Sequence, residues 1–453
     1  MNPLTETKAP SALPKETRIG GSLAAFRQDP LEFMTQLHRT YGHAAVFRLG
    51  PQRFHALFHP DLLKEVFVTK ADSFTKAGTF DELKRLTGEG LVLSQGEFHQ
   101  RQRRILQPKL TRTQIQRLAD DMAASTLTRL DSWKDGDTRD LTHDLFAITF
   151  DIIASTMFSY DSRSELDKIG HAFDSVNRIA SEKIRQLVRL PLFVPTRQNR
   201  EYTWALRTLD DIVFRLIGER RAQGPGSRQD LLSALMSAVD EQDGSGMTDR
   251  QLRDEIMTMF LAGHETSAHT LAWAFDFLMR HPEVETKLLE EWERVLGGRR
   301  PAADDYPALE YTQNVLWETL RLRPAGYITS RTAVEDVVIG PLSLRKGEVI
   351  MISPYPLHTS DKYFDDPLAF RPERFENGLL KSLPQMAYFP FGAGPRSCIG
   401  NHFAMLEMAQ ILVVIGQRYR LRHVPGHPPA VPEALLTLAP KGGIRVTAEG
   451  RQR

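Results

Sequence analysis

The sequence predicts a mainly α-helical protein with a minor β component, formed as one large domain. Helical periodicity dominates from Thr111 to His281, whereas the strand-like stretches are short and lie outside this region. A chain of 453 residues exceeds the usual size of one hydrophobic core. It shows no repeat of fixed period and no linker rich in Gly, Ser or Pro, so a single domain is favoured over two.

The first elements of the chain are a polar segment and a hairpin. Residues 1–20 are polar and contain prolines, and we expect them to form a flexible segment before a domain that spans residues 21–453. Two short apolar stretches between Ala44 and Phe58 flank Gly50-Pro51, a pair that favours a turn. This pattern predicts a β-hairpin. Further strands are predicted at residues 336–339, at residues 348–352 and around residues 435–446.

The longest predicted helix begins after Thr248 and ends before His281-Pro282. The Thr248 hydroxyl can cap the first turn while Gln251, three residues later, reaches back to the cap. At about 1.5 Å per residue the helix would cross the whole domain, so its middle should be buried. Breaks in the preceding helical region are expected at Leu190-Pro191, at residues 224–227 and at residues 244–246.

The composition excludes several classes of protein. With 58 basic and 57 acidic residues the net charge is +1, so no strong positive field would attract nucleic acid. The single cysteine rules out a disulfide framework and fits a reducing compartment. No stretch approaches the roughly 18 uninterrupted apolar residues that span a bilayer. We therefore expect a cytoplasmic protein without a signal peptide or an integral membrane segment.

The one cysteine, Cys398, lies in a loop whose composition suits the presentation of a sulfur atom. The segment from Phe391 to Gly400 reads FGAGPRSCIG, and a helical pattern follows it directly. Its glycines and proline favour a tight loop, and the positive end of the following helix favours a thiolate over a thiol. A cysteine without such a context is more often a small buried apolar residue. Here the context indicates a metal ligand.

This segment matches every fixed position of the F-x-x-G-x-R-x-C-x-G pattern, and it resembles the haem-binding loop of the cytochromes P450. The resemblance implies that Cys398 is the axial ligand of the iron of haem b. It also implies that Arg396 binds a haem propionate and that Phe391, Gly392 and Gly400 belong to the cofactor-binding loop. The haem would then lie between this loop and the long central helix.

The middle of the long helix, AGHETS at residues 262–267, carries a second match, to the family motif A/G-G-x-D/E-T. The resemblance places Ala262 and Gly263 beside the haem and gives Thr266 and Glu265 the catalytic role of proton delivery. A glycine within a helix costs roughly 1 kcal/mol relative to alanine, so Gly263 suggests that a planar group or dioxygen approaches the backbone. The alternative is an ordinary buried helix whose threonine hydroxyl bonds to a carbonyl of the same helix.

A zinc site on this helix is a competing hypothesis, because His264-Glu265 and His269 superficially resemble a zinc-protease helix. Two zinc-binding histidines on a helix must be four residues apart to share one face, whereas these are five apart. The spacing therefore argues against zinc, and we expect both histidines to be packing or surface residues.

Basic residues elsewhere match family positions that contact the haem propionates. By this resemblance, His99 and Arg103 on the helix near Gly96, and Arg331 later in the chain, bind propionates as Arg396 does. The alternative for each residue is a solvated helix face.

A further match is structural rather than catalytic. Glu318 and Arg321 fit the family's E-x-x-R pattern, and Arg374 lies in a segment that resembles its P-E-R-F motif. An i,i+3 ion pair on an exposed helix contributes only about 0.2–0.5 kcal/mol and is common. The resemblance instead implies a buried network of the three side chains that stabilises the fold.

The resemblance covers nearly the whole chain and implies a haem-thiolate monooxygenase. Such an enzyme uses O2, two electrons and two protons to insert one oxygen atom into its substrate, and releases the other as water. The chain has no glycine fingerprint for a flavin or nicotinamide, so electrons should come from a separate ferredoxin or flavodoxin with its reductase. Basic side chains such as Arg101, Arg104 and Lys109 are expected around the Cys398 face, where this partner would dock.

The substrate is expected to be an apolar small molecule. The family's substrate-contact regions map to residues 74–91, 173–193, 259–261, 325–329 and 435–438, and the last three lack charged residues. An unpaired charge buried among them would be costly, so a terpenoid or carotenoid is favoured, with a fatty acid next. Two alternatives remain open. A peroxygenase driven by H2O2 tends to lose the acid–alcohol pair, and a haem-thiolate sensor without turnover would not need it.

Overall fold

The computed structural model of the chain describes residues 20–186, 190–224, 226, 228–239, 244 and 246–451. Helices dominate these residues and strands are a minor component, as the sequence predicts. The α-helices in chain order are α1 (Leu23–Gln28), α2 (Pro30–Tyr41), α3 (Pro60–Lys64), α4 (Lys84–Thr87), α5 (Gly96–Leu106), α6 (Arg112–Gln116), α7 (Ala119–Leu130), α8 (Leu141–Phe158), α9 (Leu166–Arg185), α10 (Arg197–Gln223), α11 (Leu231–Ser237), α12 (Asp249–Arg280), α13 (Pro282–Leu296), α14 (Glu310–Leu322), α15 (Tyr355–His358), α16 (Leu379–Ser382) and α17 (Asn401–Arg418). The β-strands are β1 (Ala44–Leu49), β2 (Gln52–Leu57), β3 (Phe74–Lys76), β4 (Asp137–Asp140), β5 (Thr329–Ala333), β6 (Val337–Ile339), β7 (Leu342–Leu344), β8 (Val349–Ile352), β9 (Tyr419–His423), β10 (Pro432–Ala434), β11 (Leu438–Pro440) and β12 (Arg445–Gly450).

The predicted hairpin is present at β1 and β2. The two strands pair antiparallel, with Leu49 opposite Gln52 on either side of Gly50-Pro51. Gly50 has a φ of 60°, a left-handed conformation that glycine adopts without steric cost. The hairpin forms one edge of a sheet with the strand order β1-β2-β8-β5-β3, and the smaller sheets have the orders β6-β7, β10-β11 and β4-β12-β9.

The strand predictions are confirmed in part. The stretches predicted at residues 336–339 and 348–352 form β6 and β8, and the stretch around residues 435–446 forms β11 and the first residues of β12. Strand β4 lies inside the region predicted as helical. It forms because β12, from the other end of the chain, pairs with it, with Thr138 opposite Thr447. Pairing over this sequence distance leaves no local pattern to recognise.

The long helix α12 is confirmed together with its cap. The Thr248 amide donates to Gln251 Oε1 (2.8 Å), and the Gln251 amide donates to Thr248 Oγ1 (3.3 Å), which completes the predicted capping box. The 32 residues of α12 span about 48 Å. Helices α8, α10, α14 and α17 pack against α12, so its middle lies in the core.

The helical region before α12 breaks near the predicted positions. Helix α9 ends at Arg185 and α10 begins at Arg197, on either side of Leu190-Pro191. Helix α10 ends at Gln223, directly before the break predicted at residues 224–227. Parts of that break and of the one at residues 244–246 lie outside the described residues, as do residues 1–19 of the expected N-terminal segment.

The predicted ion network is buried behind α14. Arg321 donates to both carboxylate oxygens of Glu318 (2.7 and 2.8 Å), and Arg374 donates to Glu318 Oε1 (2.9 Å). The side chains of Glu318 and Arg321 are completely inaccessible. The other Arg321 N–H groups donate to backbone carbonyls, including that of His358 (2.7 Å). Because the buried charges are paired and hydrogen-bonded, losing one partner would leave an uncompensated charge.

Among the described residues, α8 is the one helix with the length and composition to cross a membrane, and 61% of it is buried inside the protein. It packs along α12 through residues such as Ile153. This is the environment of a core helix in a globular domain.

Candidate functional site

The loop that carries Cys398 is tightly folded at the start of α17. The Cys398 amide donates to the Phe391 carbonyl (2.8 Å), and Gly392 and Gly394 both have a φ of 67°. A Cβ at Gly394 would lie 1.8 Å from the carbonyl oxygen of Phe67. Glycine is therefore required at this position by both its conformation and its neighbour. The loop leaves the Cys398 side chain accessible.

The electrostatics of Cys398 depart from the expectation that the following helix would by itself favour a thiolate. Although the side chain is accessible, the protein atoms packed around it exclude part of the water that would solvate a thiolate, and this desolvation raises the pKa of the thiol. The effect exceeds the opposing hydrogen bond from the Gly400 amide and the charge of Arg103. Without a metal the sulfur is therefore a thiol at neutral pH. A ferric ion would supply the further positive charge that a thiolate needs here, because a coordinating thiol is deprotonated by its metal.

The structure brings the predicted propionate-binding residues together around the Cys398 loop. Arg103 donates to the Ser397 carbonyl (2.8 Å) and hydroxyl (3.3 Å), which ties α5 to the loop. Arg396 donates to the carbonyl of Ser94 (2.7 Å), just before α5. The Arg331 guanidinium, on β5, lies 5.2 Å from the centre of the Phe67 ring. Helix α5, strand β5 and the Cys398 loop thus each contribute an arginine to the same region beside Cys398.

Lys76 is a further member of this basic cluster, and it was not among the residues expected from the sequence. It lies opposite Arg331 across the β3–β5 pair. Its pKa is lowered to about 7 by burial and by the charges of Arg331 and Arg396. A single lysine in a three-residue strand gives no sequence signal. Arg331 was already expected to bind a propionate. Only the position of Lys76 opposite Arg331 in the sheet could have indicated that Lys76 belongs to the same site.

The pKa values in the cluster indicate an anion-binding site. That of His99 is lowered to about 4 by burial and by the charges of Arg396, Arg103 and Lys76. That of Arg331 is lowered to about 10 by burial and by Arg396. The charges of Arg331, Arg396 and Lys76 therefore repel one another and disfavour a proton on His99, and an anion between them would remove this repulsion. A dicarboxylate such as the two propionates of haem fits the charge of this cluster.

On α12, Ala262 and Thr266 lie one turn apart and present the accessible part of the helix. Thr266 Oγ1 donates to the Ala262 carbonyl (2.8 Å), so the hydroxyl lone pairs remain available to a further donor. Gly263 also has a packing role that the sequence did not indicate. A Cβ there would lie 2.8 Å from Cδ1 of Ile153, so the glycine permits the close packing of α8 against α12.

Glu265 is buried and directed away from Thr266. Its Oε1 accepts hydrogen bonds from Asn177 Nδ2 (2.6 Å) on α9 and from Thr437 Oγ1 (2.7 Å) next to β11. Burial raises the pKa of Glu265 to about 7, with a contribution from Asp174, while the two hydrogen bonds oppose the shift. Asn177 and Thr437 lie in mapped contact regions, but nothing in the sequence marks them as partners of this acid.

His264 is a packing residue, as the sequence analysis expected. Its ring lies among those of Phe146, Phe173 and Phe150, at centroid distances of 4.4, 4.7 and 5.4 Å. Its Nδ1 bonds to a carbonyl of its own helix, and burial lowers its pKa to about 3. No group of three or more His, Cys, Asp or Glu suited to a metal ion occurs within the described part of the chain.

The uncharged segments expected to line the substrate pocket meet beside α12, with one exception. The Leu438 amide donates to the Ala325 carbonyl (3.1 Å), and the Tyr327 hydroxyl donates to the Leu435 carbonyl (2.8 Å). Phe260, which we expected in this lining, is instead 2% exposed and packs on the aromatic rings of α8. It faces away from Ala262 because successive helical residues are about 100° apart.

A mainly helical domain that presents one accessible cysteine beside a buried cluster of cations has the architecture of a haem-thiolate protein. The cytochrome P450 family model matches residues 12–446, and the chain belongs to this family. Membership implies a haem-iron cofactor, and the chain is a cytochrome P450 monooxygenase.

Related proteins align with nearly the whole chain. It is 36% identical to cyclooctat-9-en-7-ol 5-monooxygenase of Streptomyces melanosporofaciens, over 94% of this chain and 91% of that protein. It is 34% identical to pentalenene oxygenase of Streptomyces avermitilis, over 91% and 90% of the two chains. It is 29% identical to the protein LUTEIN DEFICIENT 5 of Arabidopsis thaliana, over 97% and 78%.

Proposed function

We propose that this monooxygenase hydroxylates a neutral isoprenoid substrate, a terpenoid or the end group of a carotenoid, with a fatty acyl chain as the next candidate. The observation that carries the proposal is the joined pair of uncharged segments at residues 325–329 and 435–438, which are hydrogen-bonded to each other and lie against α12. They offer no ion partner to a charged substrate. Two relatives are named after an alkenol, cyclooctat-9-en-7-ol, and an alkene, pentalenene. These names agree with a substrate that has an unsaturated hydrocarbon skeleton.

The cofactor is proposed to be haem b, with the sulfur of Cys398 on its iron. His99, Arg103, Arg331 and Arg396 would bind the propionates, and Lys76 joins them in this role. The haem would contact the helix at Ala262 and Gly263 and the loop at Phe391, Gly392 and Gly400. When bound, the haem iron supplies the activation of O2, from which one oxygen atom enters the substrate and the other leaves as water.

Thr266 and Glu265 are proposed to manage the protons that this chemistry consumes. Thr266 Oγ1 gives its own proton to the Ala262 carbonyl, so it can accept a hydrogen bond from a donor on the accessible side of the helix. Glu265, with a pKa of about 7, exists in both protonation states near neutral pH and can therefore take up and release protons.

The electron donor is proposed to be a separate ferredoxin or flavodoxin with its reductase, in the cytoplasm. Helix α5 is tied to the Cys398 loop through Arg103. Arg104 on the same helix and Lys109 just beyond it are exposed, and Arg101 is half-buried. An acidic partner that docks on these side chains would approach the sulfur side of the site.

A spectroscopic titration tests the substrate proposal. Neutral terpenoids, carotenoid end-group analogues and fatty acids are titrated against the ferric protein, with small polar and multiply charged compounds as the comparison set. The apolar set should shift the haem to high spin at micromolar concentrations. High-spin shifts with the polar set alone would contradict the proposal.

Product formed with O2, NAD(P)H and a ferredoxin system, but not with H2O2 alone, would separate the monooxygenase from a peroxygenase, and any turnover excludes a sensor.

A further inference from the structure

A cleft of about 980 Å³, with both polar and apolar walls, opens to the surface between α9 and the β10–β11 hairpin. Helix α12 contributes His269 to its lining, and the hairpin contributes Leu435. Polar walls of this kind hold water, because its hydrogen bonds can be satisfied there. Much of the remaining lining is polar or charged and includes Asp174, Asn177, Arg178, Ser181, Glu182 and Glu201.

A hydrogen-bonded chain joins this cleft to Glu265. His269 Nδ1 lies 2.8 Å from Thr437 Oγ1, and Thr437 Oγ1 donates to Glu265 Oε1 at 2.7 Å. A hydroxyl has one proton, and Thr437 gives it to Glu265. In this arrangement Nδ1 of His269 must therefore carry the proton of the first bond. The direction of donation is from the cleft towards the acid.

We propose that His269 and Thr437 relay protons from the cleft to Glu265. The inference rests on the proposed role of Glu265 in proton delivery and adds the route by which the acid is supplied.

The relay conserves protons and charge at each atom except the acid. A hydronium ion in the cleft gives a proton to His269 Nε2 and becomes water, His269 gives its Nδ1 proton to Thr437 Oγ1, and Thr437 gives its own proton to the Glu265 carboxylate. The imidazole ends neutral as the other tautomer, the hydroxyl is regenerated, and Glu265 becomes a carboxylic acid. Burial keeps the pKa of His269 near 4, so the ring rests neutral and is not trapped as an imidazolium.

Asn177 is a positioning residue for this chain. Its Nδ2 donates to the same Glu265 oxygen that accepts from Thr437, and its Oδ1 accepts from the Leu436 amide (3.3 Å). The second bond fixes the orientation of the amide and holds the segment that carries Thr437. Both bonds to Glu265 end on Oε1, which is also the oxygen that receives the relayed proton, so the carboxyl group must turn about its Cγ–Cδ bond before that proton can leave on the side away from Thr437.

Matched variants of the haem-loaded enzyme test the relay. Thr437→Val and His269→Phe remove one link each, and Thr437→Ser restores the hydroxyl. His171→Phe is the control, because His171 lines the same cleft but packs on Trp204 and is not in the chain. Each variant is first checked for haem content and for the carbon monoxide spectrum of the wild type.

Two measurements follow for each variant. The first is product formed per electron consumed, with its solvent isotope effect. We expect a several-fold loss and a changed isotope effect in Thr437→Val and His269→Phe, and wild-type values in Thr437→Ser and His171→Phe. The second is an infrared pH titration of the Glu265 carboxyl in the resting enzyme, assigned with Glu265→Gln. Thr437→Val should raise the pKa of Glu265, since the lost hydrogen bond lowers it.

The outcomes distinguish the relay from the function on which it rests. If Glu265→Gln uncouples the enzyme while Thr437→Val and His269→Phe remain coupled, Glu265 delivers protons but the relay is wrong. If Thr437→Val lowers the product formed per electron but His269→Phe does not, His269 is not the residue through which protons enter the relay. If Glu265→Gln itself stays fully coupled, the proposed role of the acid fails and the relay fails with it.

Discussion

Gly90 lies so close to α12 that a Cβ at this position would fall 2.1 Å from Thr258 Oγ1 and 2.5 Å from the Asp254 carbonyl oxygen. Backbone amides reinforce the contact. That of Glu89 donates to Asp254 Oδ2 (3.0 Å), and that of Leu91 donates to Glu255 Oε2 (3.1 Å). Residues 74–91 form one of the segments expected to contact the substrate. The carboxylates of Asp254 and Glu255 on α12 hold the C-terminal end of this segment in place.

The first prediction is that Gly90→Ala displaces this segment. Overpacking of a close contact costs about 1–3 kcal/mol, and here the backbone of Asp254 cannot move aside as a flexible side chain would. We expect a lower unfolding midpoint and weaker binding of the substrate, measured by the spin-state titration. Gly218→Ala on α10 is the control, since nothing lies within 4 Å of its Cβ. It should be stabilising by about 0.5–1 kcal/mol, and equal effects of the two changes would contradict the prediction.

The second prediction concerns the buried acid beneath this segment. Burial, assisted by Asp254, raises the pKa of Glu255 from 4.5 to about 8 against the hydrogen bond from the Leu91 amide. The folded protein therefore binds the Glu255 proton more tightly than the unfolded chain does. Stability from this group is fully present below pH 4.5 and is lost as the pH rises towards 8, at up to about 1.4 kcal/mol per pH unit.

Glu255→Gln removes this titration. Relative to the wild type, the variant should gain stability steadily from pH 5 to pH 8, measured as unfolding midpoints at fixed ionic strength. Glu290→Gln, at an exposed position on α13, should run parallel to the wild type. A constant difference between Glu255→Gln and the wild type across this range would show that Glu255 does not titrate in it.

The parts of the structure that the sequence could predict are those with local causes. The cap of α12 at Thr248, the turn at Gly50-Pro51 and the loop around Cys398 each depend on residues within a few positions of one another. Lys76 and Thr437 could not be predicted, because their neighbours come from distant parts of the chain. In each case tertiary packing, rather than local pattern, decides what the residue does.

Gly263 and Phe260 on α12 both show what local pattern leaves out. The sequence shows that a glycine stands at position 263 but not that Ile153 of α8 occupies the space of its Cβ. It also places Phe260 near the motif but does not give its direction, and in the fold the ring joins Phe150 and Phe158. A helix inside a core has apolar neighbours on most sides, so periodicity does not identify the face that borders the site.

The third prediction is that Cys398→Ala abolishes the red-shifted Soret band that the ferrous carbon monoxide complex of a thiolate-bound haem shows. The chain contains one cysteine, so no other residue can supply a thiolate. Because the Cys398 thiol is protonated without a metal, haem binding should also release a proton, which a weakly buffered titration can count. A variant that keeps the band would falsify the assignment of the axial ligand.

The fourth prediction is that Thr266→Ala retains haem and substrate binding but diverts electrons to peroxide. The variant keeps the helix, since the Thr266 hydroxyl bonds to a carbonyl of its own helix one turn back, but it loses the acceptor on the accessible face. Product per electron should fall about tenfold or more, because a positioned proton-transfer group typically contributes about 10²–10⁴-fold to the rate of its step. Thr266→Ser is the control and should recover much of the coupling. If Thr266→Ala forms as much product per electron as the wild type, Thr266 has no role in proton delivery and Glu265 acts without it.

The last prediction uses the opposite effects that Lys76 should have with and without haem. Burial disfavours the charge of Lys76, and the charges of Arg331 and Arg396 oppose it further, so its pKa is lowered to about 7. Below pH 7, Lys76→Met should therefore stabilise the protein without haem, measured as a higher unfolding midpoint. In the holoenzyme the same change removes a cation from the propionates, and a charged hydrogen bond contributes about 1.5–3 kcal/mol. Haem transfer to an acceptor globin should then be at least about tenfold faster.

Lys109→Met is the matched control for this pair of measurements, because Lys109 is exposed beyond α5 and its removal should alter neither value. The sign of each change distinguishes the possible roles of Lys76. A residue that only supports β3 would, when replaced, destabilise the protein both with and without haem. A lysine that binds a propionate would give the two opposite shifts, and unchanged haem transfer in Lys76→Met would remove it from the site.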